Sequence, residues 1–271
     1  LVAYRAGKSS DRPVPDAAEG AKRPEDIENN EQLFLTGLHL EQYRHATWSA
    51  LDYYEEALRR DPMDVRCNNA VGLWYIRRGR FSKAEPYLRT AVKVLQKRNP
   101  NPYDGEPLYN LGLCLKYRSF CPSLTAEESQ KLLNEAYDWF YKSTWNKAWQ
   151  DAGYMACAQI SCMKGNYDEA LYEVDKALIS GWHNHKARAL KAWLLNKING
   201  NVPDDFAAYS LSINHFNYGV LFEQDRLEEM RDLMRHDANN YDELALDYCA
   251  AGLWQEAVAL WGMAIQEGAV S

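Results

Sequence analysis

From about residue 28 onward, apolar side chains recur at the spacing of one helix face, with no alternating β pattern anywhere after that point. The periodic stretches break at Asp61-Pro62, Arg78-Gly79, Lys164-Gly165-Asn166, Gly181 and Ala251-Gly252. Glycine just past a periodic run stops a helix, and proline after aspartate opens the next turn. The breaks predict helix pairs near 31–60, 65–97, 106–146, 151–179, 185–212, 215–236 and 239–266. The pair at 215–236, HFNYGVLFEQDRLEEMRDLMRH, reads as two short helices without the signature that marks the others.

That signature is clearest in GNYDEALYEVDKALISGW, where Ala170, Val174 and Ala177 place a large residue between two small ones on one helix face. It recurs as Ala50, Tyr54, Ala57; Ala84, Leu88, Ala91; Ala136, Phe140, Ser143; and Ala257, Trp261, Ala264. Upstream of the copies, a large apolar residue precedes a small one: Val71-Gly72 with Tyr75, Leu111-Gly112 with Leu115, Cys157-Ala158 with Ser161, and Leu244-Ala245 with Tyr248. Thr36-Gly37 with Leu40 is a more divergent copy. Antiparallel helices approach closely only where glycine or alanine lets the backbones meet, and a large side chain at the same height fills the gap between hairpins. Each unit is therefore predicted to be helix, tight turn, helix.

The spacing resembles the tetratricopeptide repeat, a unit of about 34 residues built from two helices. Residues 151–184 match best, through Tyr154, Cys157, Ala158, Gly165, Tyr167, Ala170, Val174 and Ala177, and 64–97 match nearly as well. The resemblance implies an all-α fold: a right-handed α-solenoid of tetratricopeptide-like helical hairpins over 28–271, about six to seven pairs, preceded by an extended N-terminal strap at 1–27. The loop NPNPYDGEP (99–107), the insert SFCPSLTAEESQ (119–130) and the weak signature of 185–236 depart from the repeat.

The strap, with LVAYRAG followed by KSSDRPVPDAAEGAKRPED, is rich in proline, glycine, serine and charge, as linkers are. Together with PEDIENNEQLFLTGLHLEQYRHAT, CNNAVGLWYIRRGRFSKAE and STWNKAWQDAGYMACAQI, it looks like the repeat region of bacterial multidomain proteins that carry an uncharacterised, carbohydrate-associated β-rich domain. On that resemblance, LVAYRAG is the last strand of an upstream domain.

Composition narrows the function classes. With 46% apolar and 25% charged residues the chain can bury a core and keep a charged surface. The longest apolar runs, such as AVALWGMAI, fall short of the roughly 18 residues of a membrane span. A formal charge of −7 argues against a general nucleic-acid or anionic-membrane surface. The cysteines 67, 114, 121, 157, 162 and 249 form no CxxC pair, so reduced core thiols and a cytoplasmic location are expected.

Catalytic and metal chemistry find little support. His39 and His45 fall on different sides of a helix, WHNH at 182–185 sits in a turn, and no phosphate loop, GxSxG elbow or isolated carboxylate pair occurs. Neither an enzyme nor a cofactor or metal site is expected.

The working surface should instead be the concave face lined by the first helix of each pair. Register places Arg66, Asn69, Leu73 and Arg77 there from the second unit, and Tyr109, Asn110, Leu113, Lys116 and Tyr117 from the third. Met155, Gln159, Cys162 and Met163 follow from the fourth, then Lys186, Trp193 and Lys197 from the fifth. Of these, Arg66, Asn69, Arg77, Tyr109, Asn110, Lys116, Tyr117 and Gln159 are the candidate peptide- or partner-binding residues. A carboxamide can donate and accept together and so grip a peptide backbone, while the cations would receive an acidic group or chain terminus. The occupant is a partner segment or the chain's own strap. Leu253, Trp254, Val258 and Trp261 on the last helix suggest the alternative, a homodimer through the C-terminal helices.

Overall fold

The computed structural model describes residues 16–17, 19–97 and 99–269. Among them lie fourteen α-helices and no strand, so the fold is all-α. The chain divides into two compact units, one up to Asp61 and one from Pro62.

The first unit is a hairpin of α1 (Asn30–Gln42) and α2 (Ala50–Arg60). Asn29 caps α1 by accepting from the Gln32 amide at 2.9 Å. Gly37 lets the two helices meet: a Cβ there would lie 2.6 Å from Tyr54 Cε1. The divergent Gly37 copy thus performs the same packing as its better-matching relatives. A short 3-10 turn, Pro24–Asp26, precedes α1. Its neighbourhood is fastened to α2, because Tyr53 Oη donates to the Lys22 carbonyl at 2.7 Å and the Arg60 guanidinium donates to the Ile27 and Pro24 carbonyls at 2.7 and 3.2 Å. The expected strand LVAYRAG and the rest of the strap through residue 15 lie outside the described residues.

The second unit begins with three hairpins: α3 (Val65–Ile76) with α4 (Phe81–Gln96), α5 (Glu106–Arg118) with α6 (Ala126–Ser143), and α7 (Gln150–Met163) with α8 (Tyr167–Ser180). The seam is made as the spacing requires. A Cβ on Gly72 would lie 2.5 Å from Leu88 Cγ, and one on Gly112 would lie 2.9 Å from the Phe140 ring. Ala158, Val174 and their flanking alanines are fully buried. Close backbone approach and filled space are obtained together, and truncating such a large residue to alanine costs on the order of 2–5 kcal/mol.

Several hairpin turns share one hydrogen-bond pattern. At Gly165, with φ 76°, the amide donates to the Cys162 carbonyl and the Asn166 amide donates to the Ser161 carbonyl, each at 2.9 Å. Gly79 and Gly252 occupy the same left-handed position. So does Asp225, with φ 56°, between α11 (Tyr218–Glu223) and α12 (Leu227–Met234), where the amides of Asp225 and Arg226 reach Phe222 and Leu221 in the same way. Met230 and Met234 then stand, fully buried, where the other second helices carry the first small residue and the large one. The 215–236 segment is therefore a true hairpin, concealed because methionine replaced alanine and aspartate replaced glycine.

Two expectations need correction. The expected hairpin at 185–212 does not close: α9 (His185–Asn199) ends at left-handed Gly200, and α10 (Asp204–Ile213) splays away from it. The close partner of α9 is α11, where a Cβ on Gly219 would lie 2.4 Å from Ala189 Cβ. The longer connection at 200–203 replaces the tight turn, leaving α10 over a small core of Ala192, Val202, Ala207 and Val220. The insert at 119–130 is also shorter than expected, since Ala126 onward belongs to α6, started by a reciprocal capping box between Thr125 and Glu128.

The chain closes with α13 (Ala238–Ala250) and α14 (Trp254–Gln266). In the last copy of the signature Ala257 is buried, whereas Trp261 and Ala264 are only half-buried. Trp261 Nε1 instead donates to Asp242 within the hairpin at 2.9 Å.

Candidate partner-binding surface

The candidate residues fall into four local arrangements in the second unit. On α3 and α5, Asn69 Nδ2 donates to Glu106 Oε1 and Asn110 Nδ2 donates to Asn69 Oδ1, both at 2.9 Å. The two asparagines are buried, and Glu106 lies one helical turn before Asn110 on the same face. Both carboxamides are thus held in fixed orientation by each other and by one carboxylate.

Lys116 and Gln159 form the second arrangement, bridging α5 and α7 through a 2.5 Å bond from Nζ to Oε1. Lys116 is only 2% exposed, with an amide as its partner rather than a carboxylate. Burial pushes its ammonium down to about 7. Cys162, from the same neighbourhood, is pushed up to about 12, first by burial and then by Glu173. Glu173 is itself raised by burial and accepts from Tyr137 Oη at 2.6 Å and Ser161 Oγ at 2.7 Å.

The aromatic candidates separate. Tyr109 packs in tilted geometry between Phe140 of α6, at 5.1 Å, and Trp149 just before α7, at 4.9 Å, and burial raises its hydroxyl to about 12. Tyr117 lies flat on Phe81 at 5.5 Å and remains partly exposed. Arg66 and Arg77, at the two ends of α3, are exposed. Beside Arg77, the Arg78 guanidinium covers the Trp74 ring at 3.5 Å.

Farther along, several inward positions are engaged by the chain itself. Lys186 Nζ reaches Asp247 of α13 at 2.5 Å, Trp193 Nε1 donates to Glu256 of α14 at 2.8 Å, and Gly252 lies against Met163. Trp193 is left 5% exposed. Phe120, from the loop after α5, meets the Trp254 ring edge-on at 6.2 Å. Lys197 lines a depression of about 450 Å³ with Asn196, Glu223 and Glu256. Arg66, Arg77 and Tyr117, on α3 and α5, remain exposed, as do Lys186 and Lys197 farther along.

Sequence reasoning missed Glu106, Glu173 and Glu223. Glu106 could have been found from its spacing to Asn110. Glu173 precedes the buried Val174 with no local mark, and Glu223 acquires its Tyr248 and Asn196 donors only through the fold. Among the described residues no group of three or more His, Cys, Asp or Glu side chains has metal-binding geometry, and no helix is long and apolar enough to cross a membrane. Four of the six thiols are buried, whereas Cys121 is exposed and Cys249 half-buried.

No family model matches the chain. Solved structures do. Pseudomonas aeruginosa PilF superposes with a TM-score of 0.58 at 19% identity, covering 85% of this chain and 96% of its own. YrrB, described as a TPR protein with an unusual peptide-binding site, gives 0.53 at 16% identity, over 73% of this chain and 93% of its own. Human IFIT1, solved as a dimer with PPP-AAAA, gives 0.56 at 17% identity over 89% of this chain but 56% of its own length. These neighbours share the repeat and lend no support to a carbohydrate-associated partner domain. The seam, the shared turn and these superpositions together give the chain the tetratricopeptide-repeat fold.

Proposed function

We propose that the chain is a non-enzymatic interaction scaffold that holds an extended, acidic peptide segment along α3, α5 and the start of α7. The observation that carries this reading is the pair of polar bridges, Asn69–Asn110–Glu106 and Lys116–Gln159, that ties the successive first helices α3, α5 and α7 together. Such bridges hold the flanking groups in place before binding. Exposed Arg66 and Arg77 would meet the carboxylates, and Tyr117 would give an apolar contact. YrrB, which has the same fold, is described as having an unusual peptide-binding site, and this supports the reading. The net charge of −7 favours a protein partner over nucleic acid.

Fluorescence anisotropy with an array of acidic peptides, and with a synthetic peptide of residues 1–20, tests the proposal. Binding that weakens by about tenfold or more in Arg77→Ala and Tyr117→Ala, with unchanged helical circular dichroism, supports it. Affinity untouched by either substitution, or preferential binding of a triphosphate oligoribonucleotide, rejects it.

A second reading, self-association, has its own observation. Trp254, Val258 and Ile265 form one stripe on α14 and are 55, 63 and 81% exposed. Light scattering showing a monomer at all concentrations would rule that out.

A further inference from the structure

Between Met234 and Ala238 the chain passes from the α11–α12 hairpin to the last one through three residues, Arg235, His236 and Asp237. Arg235 and His236 are consecutive left-handed residues, with φ 56° and 57°, and neither is glycine. Side chains with a Cβ are disfavoured in that region, and two in succession store strain that persists only while the surroundings hold it. Glu267, at the far end of the hairpin, does the holding: Arg231 Nε lies 2.5 Å from its Oε1 and His236 Nδ1 lies 3.8 Å from its Oε2.

What lies beyond this joint is a self-contained element. α13 and α14 pack on each other, and Tyr241 Oη donates to Glu267 at 2.6 Å within the pair. The hairpin reaches the rest of the unit through polar side chains, through Gly252 against Met163 and through apolar residues that join a shared core. Asp247 meets Lys186, Tyr248 Oη donates to Glu223 at 2.6 Å, and Trp193 donates to Glu256. Leu244 and Leu253 complete the joint with apolar contact.

We propose that the α13–α14 hairpin is an exchangeable element, and that two copies of this chain form a homodimer in which each hairpin docks on α9 and α11 of the other copy. The exchanged state repeats every docking contact of the closed one. It differs at the hinge, where Arg235 and His236 leave the left-handed region as the segment extends, so the energy difference favours exchange wherever concentration offsets the lost freedom of two chains. Extended, the three hinge residues span roughly 10 Å, which keeps the two bodies side by side. This gives the self-association reading a specific geometry, distinct from simple contact between two α14 stripes, and it is independent of peptide binding.

Two chains tell the geometries apart, both with exposed Cys121 replaced by serine: one carries Lys186→Cys, the other Asp247→Cys. They are mixed, concentrated and incubated at mildly elevated temperature. A short bis-maleimide cross-linker, which spans the length of the lysine it replaces, is then added in place of a direct disulfide, and the expected product is a cross-linked heterodimer on a denaturing gel, with a dimer peak by light scattering. Arg235→Gly/His236→Gly removes the strain, together with the His236–Glu267 contact, while leaving the docking face on α9 and α11 intact, and it should lower the dimer fraction several-fold. Val258→Glu, on the exposed stripe, should leave the dimer intact. A chain that is monomeric throughout the concentration series overturns the proposal, as does a dimer abolished by Val258→Glu. So does a dimer that is indifferent to the hinge substitutions or carries no inter-chain cross-link.

Discussion

Lys116 shows what one buried charge does to this fold. Its amine is almost fully enclosed, bonded to the neutral Gln159, and favours losing its proton near pH 7 rather than at the ordinary 10.5. The unfolded chain therefore binds the extra proton between about pH 7 and 10.5, and stability rises with pH across that window. Below about 7 both states are protonated and the penalty is constant. Thermal unfolding followed by circular dichroism should show Lys116→Met stabilising the protein at pH 6–7 and flattening the rise toward pH 10. A wild-type melting temperature that falls steadily from pH 7 to 10, with Lys116→Met parallel to it, would contradict this. Asn69 and Asn110 make the complementary point, since burial is tolerated because each amide has a fixed partner.

At the scale of elements, the hairpins differ in how their ends are fixed. α6 is the longest helix of the unit and starts at a reciprocal capping box, with the Glu128 amide donating to Thr125 Oγ1 at 3.2 Å and the Thr125 amide donating to Glu128 Oε2 at 2.8 Å. Ser129 Oγ closes the preceding loop on the Ser119 carbonyl at 2.6 Å. Thr125→Ala should cost about 1 kcal/mol in denaturant unfolding, and Thr125→Ser should restore most of it. An equal loss in both variants would show that the methyl group, not the cap, matters there. By contrast, α10 follows the longer connection at 200–203 rather than a tight turn and has no glycine-mediated seam with α9, so it splays.

Across the second unit, stability should follow packing. Repeat arrays add the stability of each unit to that of its interfaces, so the middle of the stack is protected from both sides. Hydrogen exchange should be slowest in α5, α7 and α8, whose cores are shared with neighbours, and faster by orders of magnitude in α10 and the last turns of α14. Uniform protection through α10 would mean that it is not the loosely packed element its contacts indicate.

Much of this architecture was legible from the chain alone. Hairpins of the Gly72–Leu88 and Gly112–Phe140 kind follow from local spacing, because a residue without a side chain facing a large one at fixed helical intervals has few other uses. Even the concealed hairpin at 218–234 kept its turn, although methionine and aspartate hid it. The candidate site was less legible: register brought Asn69 near Asn110 and Lys116 near Gln159 but also selected Tyr109, whose ring belongs to a seam.

The pairing of neighbouring helices is thus a property of the sequence, since its contacts are separated by one turn and repeat with the helix period. Tertiary structure alone decided that α9 packs on α11 instead of α10, that α13 pairs with Lys186 and α14 covers Trp193, and that Lys116 loses its water. Those outcomes depend on packing angles summed over several hairpins, and a small change in each joint displaces the far end by many ångströms. No periodic signal records such a sum.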